Sequence, residues 1–135
     1  MPERPTGHPP PLAAQLHEGE ELDLRDLAKE ICSRYRAEFP DEQERYGDAG
    51  TAWCLHDNQH ILNWAVMACK GFEALEPRLD WLARVLEARD FPLDRLARDL
   101  EIASSVVEDQ LPPSHQALAG QLMGGARFVR SRQTA

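Results

Sequence analysis

No run of apolar residues in this chain approaches the roughly 20 that a membrane-spanning helix needs, so no membrane partner is expected. Positive charge is also scarce. Fifteen basic side chains against twenty-three acidic ones leave a net charge of −8, a field that repels phosphate backbones and argues against nucleic-acid binding. Arg127, Arg130 and Arg132 are the local exception and read as a solvated end. Lysine occurs only at positions 29 and 70, a pattern of coding bias rather than of function. The glycine-rich loops that cradle phosphates are missing, as are HExxH and the paired ExxH motifs of di-iron bundles, so nucleotide and di-iron chemistry have no motif to rest on. Cys32, Cys54 and Cys69 are odd in number, lack CxxC spacing and fall within helical patterns. They read as reduced core residues rather than a disulfide framework or a cysteine-rich zinc site. The opening MPERPTGHPPPL has no basic start followed by an apolar stretch, which implies no secretory signal and a cytoplasmic location.

What is present is helical periodicity. A chain of 135 residues fits one domain with a continuous core. Residues 1–11 are proline-rich and predict a disordered lead-in, 12–130 a single helical domain, and 131–135 a flexible tail. Leu12 to His17 is expected to add a helical turn. Leu24, Leu27, Ala28, Ile31, Tyr35 and Phe39 then recur at helical spacing over about Glu21 to Phe39, where Pro40 ends the helix. The acidic turn DEQERYG stops at Gly47, and Asp48 is placed to cap a longer helix to about Lys70, with Gly71 as a left-handed terminator. This helix is apolar nearly all round from Ile61 to Cys69, which predicts a central element. Leu79, Leu82, Val85 and Leu86 make the next stripe, flanked by Trp81, and Leu93 to about Leu111 the one after. Ser114 caps a last helix through about Val129, interrupted by Gly120, Gly124 and Gly125. Sustained apolar and polar alternation is lacking, so strands are not expected. The fold class is all-α, an antiparallel helical bundle of five or six helices.

The stretch Trp53-Cys54-Leu55-His56-Asp57-Asn58-Gln59-His60-Ile61-Leu62-Asn63-Trp64 carries the chemistry. At 100° per residue, Trp53, Asp57, His60 and Trp64 share one narrow face, with His56 one turn before His60 and Met67 projecting between. One reading is ligation of a metal through His56 and His60, or of a small cofactor such as haem with Asp57 and Met67 assisting and Trp53 and Trp64 as walls. The other is a hydrogen-bonded Asp57/His60 pair in an aromatic setting, with His56, Gln59 and Asn63 as a polar stripe facing a groove or solvent. Cys54 beside His56 or His60 offers a thiol and a base, but a thiolate needs a positive environment that an acidic chain does not supply. Gly120 and Gly124 have the spacing of a self-association seam. The charges of Asp94-Arg95-Leu96-Ala97-Arg98-Asp99 read as i,i+4 pairs lacing an exposed face.

ERYGDAG, then Cys54-Leu55-His56-Asp57 with His60 and Leu62, followed by LDWLARVLEARDFPLDRLARDLE, resembles a helical module that precedes cobalamin-binding domains in bacterial sensory and regulatory proteins. The resemblance covers about residues 45–107 and rests on an RYG turn, a CxxD helix, a WLxxxLxxR helix and an LxxxLE helix. It implies a non-catalytic input module that passes a state to a protein partner or a second copy of itself. Cys54, Asp57, His60, Trp81 and Arg89 stand at its recurring positions. The chain has no DxHxxG cobalamin motif.

Overall fold

Asp23 opens the first long helix by accepting a hydrogen bond from the Asp26 N–H at 2.9 Å, the side-chain cap that one orphan donor of a helix start requires. That helix, α1, spans Leu24–Glu38; α2 spans Asp41–Cys69, α3 Leu75–Ala88, α4 Leu93–Gln110 and α5 Gln116–Thr134, with a 3-10 turn at Pro113–His115 before the last. The computed structural model describes residues 9–134, and it has the all-α bundle architecture that the periodicity predicts. Most of the proline-rich lead-in, residues 1–8, lies outside the described residues, as does residue 135.

The predicted stripes form the core. Leu24, Ala28, Ile31, Leu79, Leu82, Leu100, Leu118 and Leu122 are all fully or almost fully buried. Fully burying a leucine contributes about 2 kcal/mol, so these rows largely hold the helices together. α4 and α5 make the most extensive pair, and α5 also packs on α2 and α3 of its own chain. Gly125 permits the approach to α3: a Cβ there would meet Leu79 Cδ1 at 2.7 Å. α5 runs on to Thr134, beyond the predicted end, and Arg132 pairs with Asp80 and Glu87 of α3 at 2.8 Å each.

Gly47 (φ 63, ψ −157) breaks α2 where the acidic turn was expected to stop, and Gly71 (φ 77) terminates it. The kink swings the short acidic first turns away from the long second part. Residues on both sides of the kink, Glu42 and Tyr46 before it and Gly50 onward after it, line the cavity described below.

Three expectations are corrected. Residues Ala13–Ala14 (β1) and Leu22–Asp23 (β2) form a two-residue antiparallel pairing, where no strand and instead a helical turn over Leu12 to His17 was expected. Two residues are too few to show alternation, and the pairing is set by the turn between them, closed by a bond from the Glu20 N–H to the His17 carbonyl at 3.2 Å. His56 and Gln59 do not face solvent or a groove: they are 4% and 1% exposed. The N-terminal segment crosses α2 there, and Gln59 Nε2 donates to the Pro11 carbonyl at 3.0 Å. The α4 charges lace an exposed face only in part: Arg98 stays partly exposed and also pairs with Glu101 at i+3, whereas Arg95 and Asp99 turn inward. Arg95 reaches Asp41 at 2.9 Å and Glu42 at 2.6 Å, Arg98 reaches Glu38 of α1 at 2.7 Å, and Asp99 is buried.

Candidate functional site

Once Gly47 has turned the chain, the second part of α2 presents Gly50, Trp53, Cys54, Asp57, Asn58 and Ile61 toward α4 at helical spacing. Tyr35 of α1, Glu42 and Tyr46 from the first part of α2, Leu82 and Leu86 of α3, and Arg95, Leu96 and Asp99 of α4 complete the wall of a cavity of about 510 Å³, with exposed Arg89 and the half-buried Phe91 from the turn after α3. That volume falls within the range of about 300–1,000 Å³ of small-molecule sites. One side is aromatic: the Tyr46 ring lies 6.4 Å from that of Trp53 and 5.9 Å from that of Phe91.

The other side is polar and poorly satisfied. Asn58 Nδ2 donates to Asp99 Oδ1 at 3.1 Å and to the Cys54 carbonyl at 3.0 Å, with the sulfurs of Cys54 and Cys32 at 3.4 and 3.7 Å. Tyr35 Oη, Asn58 Oδ1 and Trp53 Nε1 are buried and have no hydrogen-bond partner among the described residues, although all three belong to residues of the lining. Buried polar atoms are nearly always paired, because an unmet one costs about 1–3 kcal/mol. Three of them belong to residues around this one cavity.

The ionisable groups show the same environment. Burial pushes the Asp99 carboxyl up to about 7, against the Asn58 hydrogen bond, which lowers it, and Asp57 and Glu42 raise it further. Burial also raises Asp57, while its hydrogen bond to His56 and the charges of His56, His60 and Arg89 pull it down. Burial raises the Tyr35 phenol. The Cys54 thiol is pushed well above its ordinary range by its contact with Cys32 and by burial, so it is held as a thiol and is a poor nucleophile. Burial disfavours the Arg95 charge, but the hydrogen bonds it donates to Asp41 and Glu42 outweigh that and raise the guanidinium.

Of the residues singled out in the sequence, Trp53, Cys54 and Asp57 line the cavity, whereas His56, His60, Trp64 and Met67 do not. The shared face is real, but Trp53 and Trp64 are three turns apart, and farther along α2 that face is occupied by packing. Trp64 lies under Arg78 at 5.9 Å and beside the His60 ring at 5.9 Å. Asp57 Oδ1 bonds His56 Nδ1 at 3.1 Å, and the imidazoles of His56 and His60 pack edge to face at 4.8 Å. Among the described residues, His56, Asp57 and His60 do not form a group of three donors within 4.8 Å.

Tyr35, Asn58, Arg95 and Asp99 were missed as site residues. Asp99 had a signal: it falls within the Leu96, Leu100, Ala103 stripe, where a carboxylate is out of place. Comparison of the chain with family models, curated proteins and solved structures finds no match.

Proposed function

We propose that the chain is a non-catalytic sensing module that takes a flat, weakly basic aromatic molecule into the cavity between α1, α2, α3 and α4 and signals its presence to a protein partner. The observation that carries this reading is the conjunction, around one cavity, of three buried unmet polar atoms and a carboxyl raised by burial to about 7. Rings of Tyr46, Trp53 and Phe91 supply faces on which an aromatic plane stacks. Asp57 and Asp99 supply negative charge that a protonated nitrogen would neutralise, since Arg95 is already engaged by Asp41 and Glu42. A raised Cys54 thiol and the absence of both helix histidines from the lining weigh against nucleophilic catalysis there. For the partner, Trp81 stands 37% exposed on α3, the helix whose inner face closes the cavity through Leu82 and Leu86.

Native mass spectrometry of the protein as purified, followed by thermal-shift measurements with planar heteroaromatic amines and their neutral isosteres, tests the reading. Amines should raise Tm more than isosteres, and Asp99→Asn should abolish that preference. A chain that carries no adduct and responds to neither set would defeat it.

A further inference from the structure

A second cluster lies outside the cavity, where the N-terminal segment meets the turn before α5. Gly19 adopts φ 79, a left-handed conformation that glycine takes without strain, at the third position of the turn closed by the Glu20 N–H and the His17 carbonyl. That turn brings His17 and Glu20 together, and the 3-10 turn presents His115, itself 2% exposed, against them. One ring nitrogen of each histidine and a carboxylate oxygen of Glu20 lie within 4.8 Å of one another.

We propose that His17, Glu20 and His115 form a zinc-binding site that clasps the N-terminal segment onto the turn before α5. Two imidazoles and one carboxylate are a donor set that zinc takes in three-ligand sites, with a water or other small ligand in the fourth position. His17 is exposed, so the cluster is open to solvent on its side.

The support around the rings matches what metal-bound histidines use. A ligating imidazole has its second nitrogen held by a neighbouring polar group, which fixes the ring and its tautomer. Here Ser114 holds both rings. Its carbonyl accepts from His17 Nε2 at 2.9 Å, and its hydroxyl lies 3.2 Å from His115 Nδ1. His115 Nε2 then points at Glu20 Oε1, 2.8 Å away. Zinc held by these two atoms would displace a proton from between them, which is released to solvent.

The rest of the segment gives the clasp a consequence. Leu12 accepts from the Leu24 N–H at the start of α1 at 3.0 Å, Gln15 from Lys70 Nζ at 2.8 Å, and Pro11 from Gln59, while Ala14 and Leu16 pack against the core, so the segment is laid across the end of α2 and the start of α1. A metal at its turn would fix it over the His56 and Gln59 side of α2.

The test uses the full chain, stripped with a chelator and titrated with Zn²⁺ against a chromophoric competitor, with far-UV circular dichroism as a control for folding. One equivalent should bind. His17→Ala, at an exposed position, and Glu20→Gln should each weaken binding at least tenfold with the helical spectrum unchanged, and His60→Ala should bind as the parent does. Ser114→Ala, which keeps the carbonyl, should weaken binding by about tenfold as a positioning change. Failure to take zinc from the competitor, parent affinity in a His17→Ala/Glu20→Gln double variant, or loss of binding on His60→Ala instead would overturn the proposal.

Discussion

Asn58 and Asp99 join α2 to α4 through a buried hydrogen bond of 3.1 Å, and the same amide also reaches Cys54 and, through its sulfur, Cys32 of α1. One side chain thus ties three helices together at the polar wall of the cavity. Its donors are fully engaged while its Oδ1 is not, so the wall accepts hydrogen bonds at Asn58 and, when ionised, at Asp99.

Asp99 should make stability depend on pH. Its folded value of about 7 lies above the ordinary 3.8, so the folded chain binds the proton more tightly than the unfolded chain. The contribution to stability is complete below about 4, falls as pH rises, and is lost above about 7, a difference on the order of 4 kcal/mol. Asp99→Asn keeps the acceptor for Asn58 and removes the titration. Urea unfolding at a series of pH values should find the variant close to the parent at pH 4 and clearly more stable at pH 8; equal differences at both ends would contradict the assignment.

Cys54 should be slow to react. Its raised thiol pKa leaves little thiolate near neutrality, and Asn58 already contacts its sulfur. Labelling by an aromatic disulfide reagent at pH 7.5 should proceed at least tenfold more slowly at Cys54 in the native chain than in urea, read by mass spectrometry of peptides. Rapid native labelling at this position would restore the thiol as a candidate nucleophile.

The helices were legible because their stripes obey a 3.6-residue period that burial enforces: Leu24, Ile31 and Tyr35, or Leu96, Leu100 and Ala103, could not be solvated together. Much of the cavity was not legible, because it depends on long-range relations. Nothing near Tyr35 announces Asp99, sixty-four positions on, and the i,i+4 rule that assigned Arg95 to solvent cannot see the start of α2 waiting opposite. Trp53, Cys54 and Asp57 were found because they lie on one helix. His60 was placed with them for the same reason, yet helix phase says nothing about which neighbour closes over each turn.

Arg95 and Arg98 should behave differently although they are three residues apart. Arg95 is 16% exposed and bonds Glu42, itself 6% exposed, while also lying over the Phe39 ring at 4.5 Å. Arg95→Met leaves a buried carboxylate uncompensated and should cost about 3–5 kcal/mol. Arg98 and Glu38 are 40% and 39% exposed, and Arg98→Met should cost about 0–1 kcal/mol. Chemical denaturation of the two variants gives the comparison, and similar losses would mean that Arg95 is not the inward-facing partner described.

The glycines separate backbone need from self-association. Gly47 has φ 63 and ψ −157, a region essentially restricted to glycine, so Gly47→Ala should destabilise by about 1–3 kcal/mol by straining the kink between the two parts of α2. Gly120 is helical and exposed, and a Cβ there meets nothing within 4 Å. In a monomer Gly120→Ala should therefore stabilise by about 0.5–1 kcal/mol, since alanine replaces glycine in a helix interior without a clash. If Gly120 and Gly124 instead form a seam between two copies, the added methyl separates the helices and lowers the association constant, whatever it does to each chain. Unfolding midpoints at several protein concentrations, together with light scattering, distinguish the two: a gain independent of concentration places this face in solvent, and a concentration-dependent loss places it in a dimer.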